Sequence, residues 1–165
     1  MVTKRKATAK TAAIPEPGEG KRGEDGHIGY LLRQANTVFR MQMERALSDY
    51  GVTQPQFAVM TMLMAYPGIS NADIARLSML TPPTVSVIVG NLERAGLIVR
   101  TPHEVHGRIQ QIEVTAEGKS LLAKCRKRVQ VLESALVEGL AADEERLVKK
   151  WLASVGAKTF IVSRS

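Results

Sequence analysis

Only one of the 165 residues is a cysteine, and only 4% are aromatic. The lone Cys125 excludes an internal disulfide framework and fits a reducing compartment. Scarcity of Phe, Tyr and Trp argues against recognition of RNA or single strands, because those modes stack bases on aromatic platforms. No apolar run is long enough to span a bilayer. The basic start at Lys4, Arg5 and Lys6 leads into Ala, Thr, Pro and Gly rather than the apolar core of a signal peptide. A cytoplasmic protein is therefore expected. Catalytic equipment is equally thin: three histidines, no glycine-rich phosphate loop and no convincing nucleophile-base pair, so neither an enzyme nor a cofactor is expected. His103, Glu104 and His106 offer too few donors, without the helical spacing of a His-Glu-x-x-His site, so no metal is expected either.

What the chain has in excess is positive charge. A formal net charge of +7 and a pI near 9.8 attract polyanions, and the shortage of aromatics favours duplex DNA among them. With 44% apolar residues there is enough for the core of one domain, with a tail left over. Residues 1–26 read as that tail: a Lys-Arg-Lys start, Ala/Thr alternation, Pro15, Pro17 and several glycines, with almost nothing large to bury. Composition predicts a flexible basic segment, either a solvated leader or an arm that reaches along DNA.

From Ile28 the apolar residues fall at three-and-four spacing (Leu31, Leu32, Ala35, Val38, Phe39, Met43, Ala46, Tyr50) and predict a long helix ending at Gly51. Thr53 is placed to cap a second helix that breaks at Pro67-Gly68, and Ser70 or Asn71 opens a short third one. Thr81-Pro82-Pro83 reads as the cap and first turn of a fourth helix that stops at Gly96. Two short strands follow, Leu97 to Arg100 and Ile109 to Val114, with Ile112 and Val114 on one face and Gln111 and Glu113 on the other. Thr115 caps a long helix striped by Leu121, Leu122, Cys125, Val129, Leu132, Leu136 and Leu140, which makes a buried thiol the plain reading of Cys125 and a redox sensor the alternative. A last helix, capped near Asp143, carries Leu147, Val148, Trp151, Leu152 and Val155. On a monomer those side chains form an exposed apolar patch, and a partner copy would cover it.

Helices three and four have the bracing pattern of a helix-turn-helix. Ile74, Ala75 and Leu80 meet Val85, Ile88 and Leu92, which leaves Thr84, Ser86, Val87, Gly90 and Asn91 to other faces, where the major groove can be read. The hairpin directly behind them is placed to act as a wing. With Asp73-Ile-Ala-Arg-Leu, Thr84-Val-Ser, Asn91-Leu-Glu-Arg-Ala-Gly-Leu-Ile and Val114-Thr-Ala-Glu-Gly in place, the chain resembles the multiple-antibiotic-resistance regulator (MarR) family. The likeness in helix order and length runs from residue 27 to about 158. It implies a mainly α winged helix-turn-helix with a two-stranded β wing. It also implies a helical dimerisation lobe, residues 27–50 and 115–159, around a DNA-binding lobe, residues 53–114. A homodimer on an inverted repeat of double-stranded DNA, regulated by a small molecule, follows from the same resemblance.

The expected DNA surface comprises Thr53, Gln54, Ser70, Asn71, Thr81, Thr84, Ser86, Val87, Asn91, Arg94, Arg100, His106 and Arg108. Two positions depart from the family pattern. Val87 stands where a basic residue is common; it is able to meet a thymine methyl but not to hydrogen-bond guanine. In the wing, His106-Gly107-Arg108 replaces an Asp-x-Arg signature, so Arg108 is kept without its carboxylate. For the effector, Arg40, Met41, Met60 and Met64 are the expected contacts. Methionine walls admit planar apolar ligands and a guanidinium fork pairs with a carboxylate, although core filling and snorkelling explain the same residues. The resulting expectation is a repressor released by a small aromatic or phenolic ligand or its thioester; the competing one is an architectural DNA binder that neither reads sequence nor senses a ligand.

Overall fold

A computed structural model describes residues 14–102 and 110–157. The chain divides into two units at Met41/Gln42. Regular structure comprises α1 (Ile28–Ser48), α2 (Gln54–Ala65), α3 (Asn71–Leu77), α4 (Pro82–Arg94), β1 (Ile98–Pro102), β2 (Gln110–Val114), α5 (Ala116–Leu136) and α6 (Ala142–Ala157). Within the segment expected as a tail, the described part contains one 3-10 turn, Gly20–Arg22.

In the second unit, α2 packs against α3, α4, α5 and β2, because nearly every face of this helix is apolar. Val59, Met60 and Leu63 of α2 are buried with Ile74 and Ala75 of α3 and Val85, Ile88, Val89 and Leu92 of α4. The antiparallel strands pair Ile98 with Val114 and Arg100 with Ile112. Ile98, Ile112 and Val114 are buried while Glu113 is exposed, as the alternation predicts. Leu122, Cys125 and Val129 are the buried stripe of α5.

Helix starts follow the predicted caps. Thr53 and Ser70 each form a full capping box, with Gln56 and Asp73 respectively, and the Thr81 and Thr115 side chains cap α4 and α5. The start of α6 differs from the sequence expectation. Asp143 lies inside its first turn with Glu144 and Glu145, and it is the Glu144 carboxylate that accepts the Ala141 N–H at 2.8 Å. Three acids in one turn complement the helix dipole, which explains the misplaced cap.

Three helix ends share a left-handed closing residue with a six-to-one hydrogen bond. Val52 N–H reaches Leu47 O at 3.4 Å past Gly51, and Leu97 N–H reaches Leu92 O at 3.0 Å past Gly96. Leu80 N–H reaches Ala75 O at 2.9 Å past Met79, whose φ of 53° is the only positive value on a non-glycine among the described residues.

The tightest junction lies behind the hairpin. Thr115 N–H donates to Leu97 O at 3.0 Å, Thr115 Oγ1 donates to Gly96 O at 2.8 Å, and the same oxygen accepts Gly118 N–H at 3.0 Å. A Cβ on Gly118 would stand 2.1 Å from Leu97 O, a backbone atom that cannot swing aside. Gly118→Ala is therefore expected to destabilise the fold by about 1–3 kcal/mol, the range for overpacking. Urea denaturation checks this, and an unchanged midpoint would show that the junction has slack.

Candidate nucleic-acid interface

Helix α4 turns its apolar positions inward, and what remains outside is a polar stripe. Thr84, Ser86 and Val87 are exposed, Val87 at 63%, and Asn91 is half-buried beside exposed Arg94. Thr84 and Thr81 share a hydroxyl hydrogen bond of 2.7 Å, which fixes the Thr84 rotamer at the first turn. Ser86 donates to Pro82 O at 3.1 Å, leaving its oxygen lone pairs as acceptors. Arg94 is held within its own helix, with Nε on Gly90 O at 3.2 Å and Nη2 on Asn91 Oδ1. Since the Asn91 oxygen is occupied by that arginine, the amide nitrogen is the group left to face a base.

The remaining expected contacts sit at helix starts and on the wing strand. Thr53, exposed, and Gln54, half-buried, open α2; Ser70, exposed, and Asn71, half-buried, open α3. Asn71 Oδ1 is shielded from solvent without a hydrogen-bond partner. Arg100 Nε lies 3.1 Å from Glu93 Oε2. Its N–H is not aligned on the carboxylate, so the contact is a Coulombic one that holds β1 beside the end of α4. Glu93 is a partner the sequence reading did not assign, since nothing local couples two residues seven positions apart across a turn. His106 and Arg108 lie outside the described residues.

Sequence reasoning also passed over Arg76. It stands exposed in the last turn of α3 and its Nη2 reaches Asp73 Oδ1 at 2.7 Å. The expected effector residues fall in both units. Arg40 and Met41 belong to the first, where Met41 is 49% exposed. In the second, Met60 is fully buried in the core, and Met64 is partly exposed beside a cleft of about 410 Å³ that Pro67, Gln111 and Lys119 also line. Cys125 is inaccessible and burial pushes its thiol above the ordinary value, which opposes thiolate chemistry. Among the described residues no group of acids, histidines or cysteine is placed to hold a metal ion. No described helix is long and apolar enough to cross a membrane.

This arrangement, a braced α3–α4 pair with a polar outer stripe and a hairpin directly behind it, defines a winged helix-turn-helix DNA-binding module. The comparisons with known proteins make the class specific. A family model described as MarR family matches residues 50–109. The HTH-type transcriptional repressor Rv2887 of Mycobacterium tuberculosis is 31% identical over 134 residues, which cover 81% of this chain and 96% of that protein. Its structure in complex with salicylic acid superposes with a TM-score of 0.65 at 31% identity, over 80% of this chain and 98% of the other. The transcriptional repressor CouR, known from Rhodococcus jostii RHA1, bound to a 23-mer DNA duplex, superposes with a TM-score of 0.71 at 27% identity, over 79% and 92%. The chain belongs to the MarR family of DNA-binding transcription regulators.

The Ser70 box at the α3 start has a titratable signature. Ser70 Oγ donates to Asp73 Oδ2 at 2.7 Å, and that side-chain bond, then the Ser70 N–H, then Arg76, hold the Asp73 carboxyl below its ordinary value of 3.8. A carboxyl whose value is lowered by folding stabilises the fold above its unfolded value, and the contribution is lost as the pH falls through the lowered one. Ser70→Ala is expected to return Asp73 toward 3.8 in an NMR titration. It should also lower stability near neutrality by more than in strong acid. An Asp73 titration unchanged by the substitution would contradict the assignment.

Proposed function

We propose that this protein is a homodimeric repressor that reads an inverted repeat in duplex DNA and leaves it when a small aromatic carboxylate binds. The observation that carries the DNA reading is the α4 stripe: Thr84, Val87, Asn91 and Arg94 point away from a face whose Val85, Ile88, Val89 and Leu92 are all buried. An architectural binder has no use for a polar stripe along one helix in which Thr84 and Asn91 are already oriented by neighbours, and base readout does. Dimerisation is supported by α6, which has no buried residue while Leu147, Val148, Trp151 and Leu152 are exposed at 66%, 41%, 38% and 45%. That much apolar side chain on one helix calls for a partner surface, and a second copy related by a two-fold is the simplest one.

The effector class is carried over from the relative whose structures hold salicylic acid and p-aminosalicylic acid. We keep Arg40 as the cation for its carboxylate and Met41 as an apolar contact, while Met60, fully buried in the core of the second unit, is core filling. For such a ligand to release DNA it must favour a dimer whose recognition helices do not match the operator spacing.

Sedimentation is expected to show a dimer at micromolar concentration, and footprinting one short protected repeat with half-sites roughly 10 base pairs apart. Uracil in place of a thymine facing Val87 should weaken binding by on the order of 1 kcal/mol. Arg108→Ala should lower affinity for every duplex and reduce the salt slope by about one phosphate contact. A stable monomer, or uniform coating of DNA without preference, would leave the architectural reading in its place.

Salicylate is the probe for the effector. Saturating amounts are expected to raise the anisotropy midpoint for operator binding at least about fivefold, the lower end of ordinary allosteric coupling, and Arg40→Gln to suppress the response. Operator affinity that is indifferent to salicylate would refute this effector class.

A further inference from the structure

Asn91 and Arg94 stand one turn apart on the outer stripe of α4, and the contact between them decides what the asparagine can offer a base. Arg94 donates its Nε–H to Gly90 O at 3.2 Å and an Nη2–H to Asn91 Oδ1. A guanidinium only donates, so the amide cannot turn over: its nitrogen in the place of the oxygen would set N–H against N–H. The oxygen is committed to Arg94, and the two N–H groups of the amide are what Asn91 has left for DNA.

That commitment changes which base the side chain matches. A free asparagine pairs with adenine in the major groove, donating to N7 and accepting from the N6 amino group. With its oxygen taken it loses the accepting half of that pair, and against adenine its amide nitrogen would lie beside another amino group. Guanine presents two acceptors, N7 and O6, to the same two N–H groups, whereas thymine presents one and cytosine only a donor. The donor-only asparagine is therefore the complement of guanine.

Contact with DNA does not require Arg94 to let go. It spends two donors within its own helix and keeps the rest for a phosphate. Its bond to Asn91 is charge-assisted and grows stronger where the groove excludes water. Gly90 is an independent sign that DNA comes close at this point. A glycine inside a helix is unfavourable. Apart from its chain neighbours and the backbone of its own helix, no protein atom lies within 4 Å of where a Gly90 Cβ would stand. Packing within the chain does not ask for a glycine there; a DNA edge drawn against the helix beside Asn91 does.

We propose that Arg94 is a positioning residue that sets the specificity of Asn91, turning a side chain suited to adenine into one that reads guanine. The proposal rests on the reading of α4 as a base-reading helix given above.

The test is selection of bound duplexes from a pool with randomised half-sites, read by sequencing, for the full-length wild type, Asn91→Ala and Arg94→Met. The position that Asn91 reads is the one at which Asn91→Ala abolishes preference. There the wild type should favour guanine over adenine at least about tenfold, within the range of a good paired contact. In Arg94→Met the amide is free to turn, and the guanine-to-adenine ratio should fall at least about tenfold, to parity or beyond. Loss of the charge weakens binding to every duplex alike and does not by itself move that ratio. Arg94 is exposed and Asn91 half-buried, so both variants are expected to keep the fold. An adenine preference in the wild type, a guanine preference that survives Arg94→Met, or no position whose preference depends on Asn91 would each overturn the proposal. A wild type that selects no sequence at all would overturn the base-reading function as well, which keeps the two failures apart.

Discussion

The carbonyl oxygen of Leu97 is where the DNA-binding half of the molecule is held together. It receives the Thr115 N–H and lies against Gly118 at a distance that leaves no room for a side chain. One residue earlier, the Gly96 carbonyl accepts the Thr115 hydroxyl while Gly96 itself closes α4. The end of the recognition helix, the start of the wing and the start of α5 are thereby tied within a few ångströms, by backbone groups that cannot be repacked one at a time. Neutral hydrogen bonds of this sort contribute only about 1 kcal/mol each; the close glycine contact adds the shape constraint that makes the junction unique.

That junction explains why the outer stripe of α4 needs so little chemistry of its own. Its base-facing candidates are short: two threonines, a serine, a valine and an asparagine. Several are already oriented by neighbours, Thr84 by Thr81, Ser86 by Pro82 and Asn91 by Arg94. Side chains fixed in advance lose little entropy on binding, and a rigid scaffold lets short groups reach the groove reproducibly. Long cations are placed around that stripe instead, with Arg94 at the helix end, Arg76 on α3 and Arg100 on the wing strand paired to Glu93.

Much of the fold was legible because its signals are local. Thr53, Thr81 and Thr115 were read as caps from a hydroxyl ahead of an apolar period and each caps the helix it precedes, and of the two candidates for α3, Ser70 and Asn71, it is Ser70 that caps. The strand faces follow from the two-residue repeat of Ile112 and Val114 against Gln111 and Glu113. The start of α6 was misread because Asp143 is a good cap by type, while the helix begins one residue earlier and uses Glu144 from inside its own first turn. What the sequence hid is non-local or compositional. The Glu93–Arg100 pair depends on the turn between α4 and β1. Within residues 14–26, Gly23 and Gly26 stand where a Cβ would meet backbone oxygen at 2.1 and 2.5 Å, a close approach that composition does not announce. The polar stripe of α4 was visible as a leftover face; which of its atoms are already occupied was not.

Met79 has a further consequence. Two of the three left-handed helix ends carry the glycine that suits them, and the one inside the helix-turn-helix does not. A methionine has no local preference for that conformation, which costs an L-residue roughly 1–2 kcal/mol. The angle between α3 and α4 is thus supported by packing, of the two helices on each other and of both on α2, where Ile74, Val85 and Leu92 are buried, and is not favoured by the turn residue. Cut out and transplanted onto another scaffold, residues 70–95 would carry the recognition side chains without the geometry that aims them. This motif is not a portable reading head; its specificity belongs to the whole core beneath it.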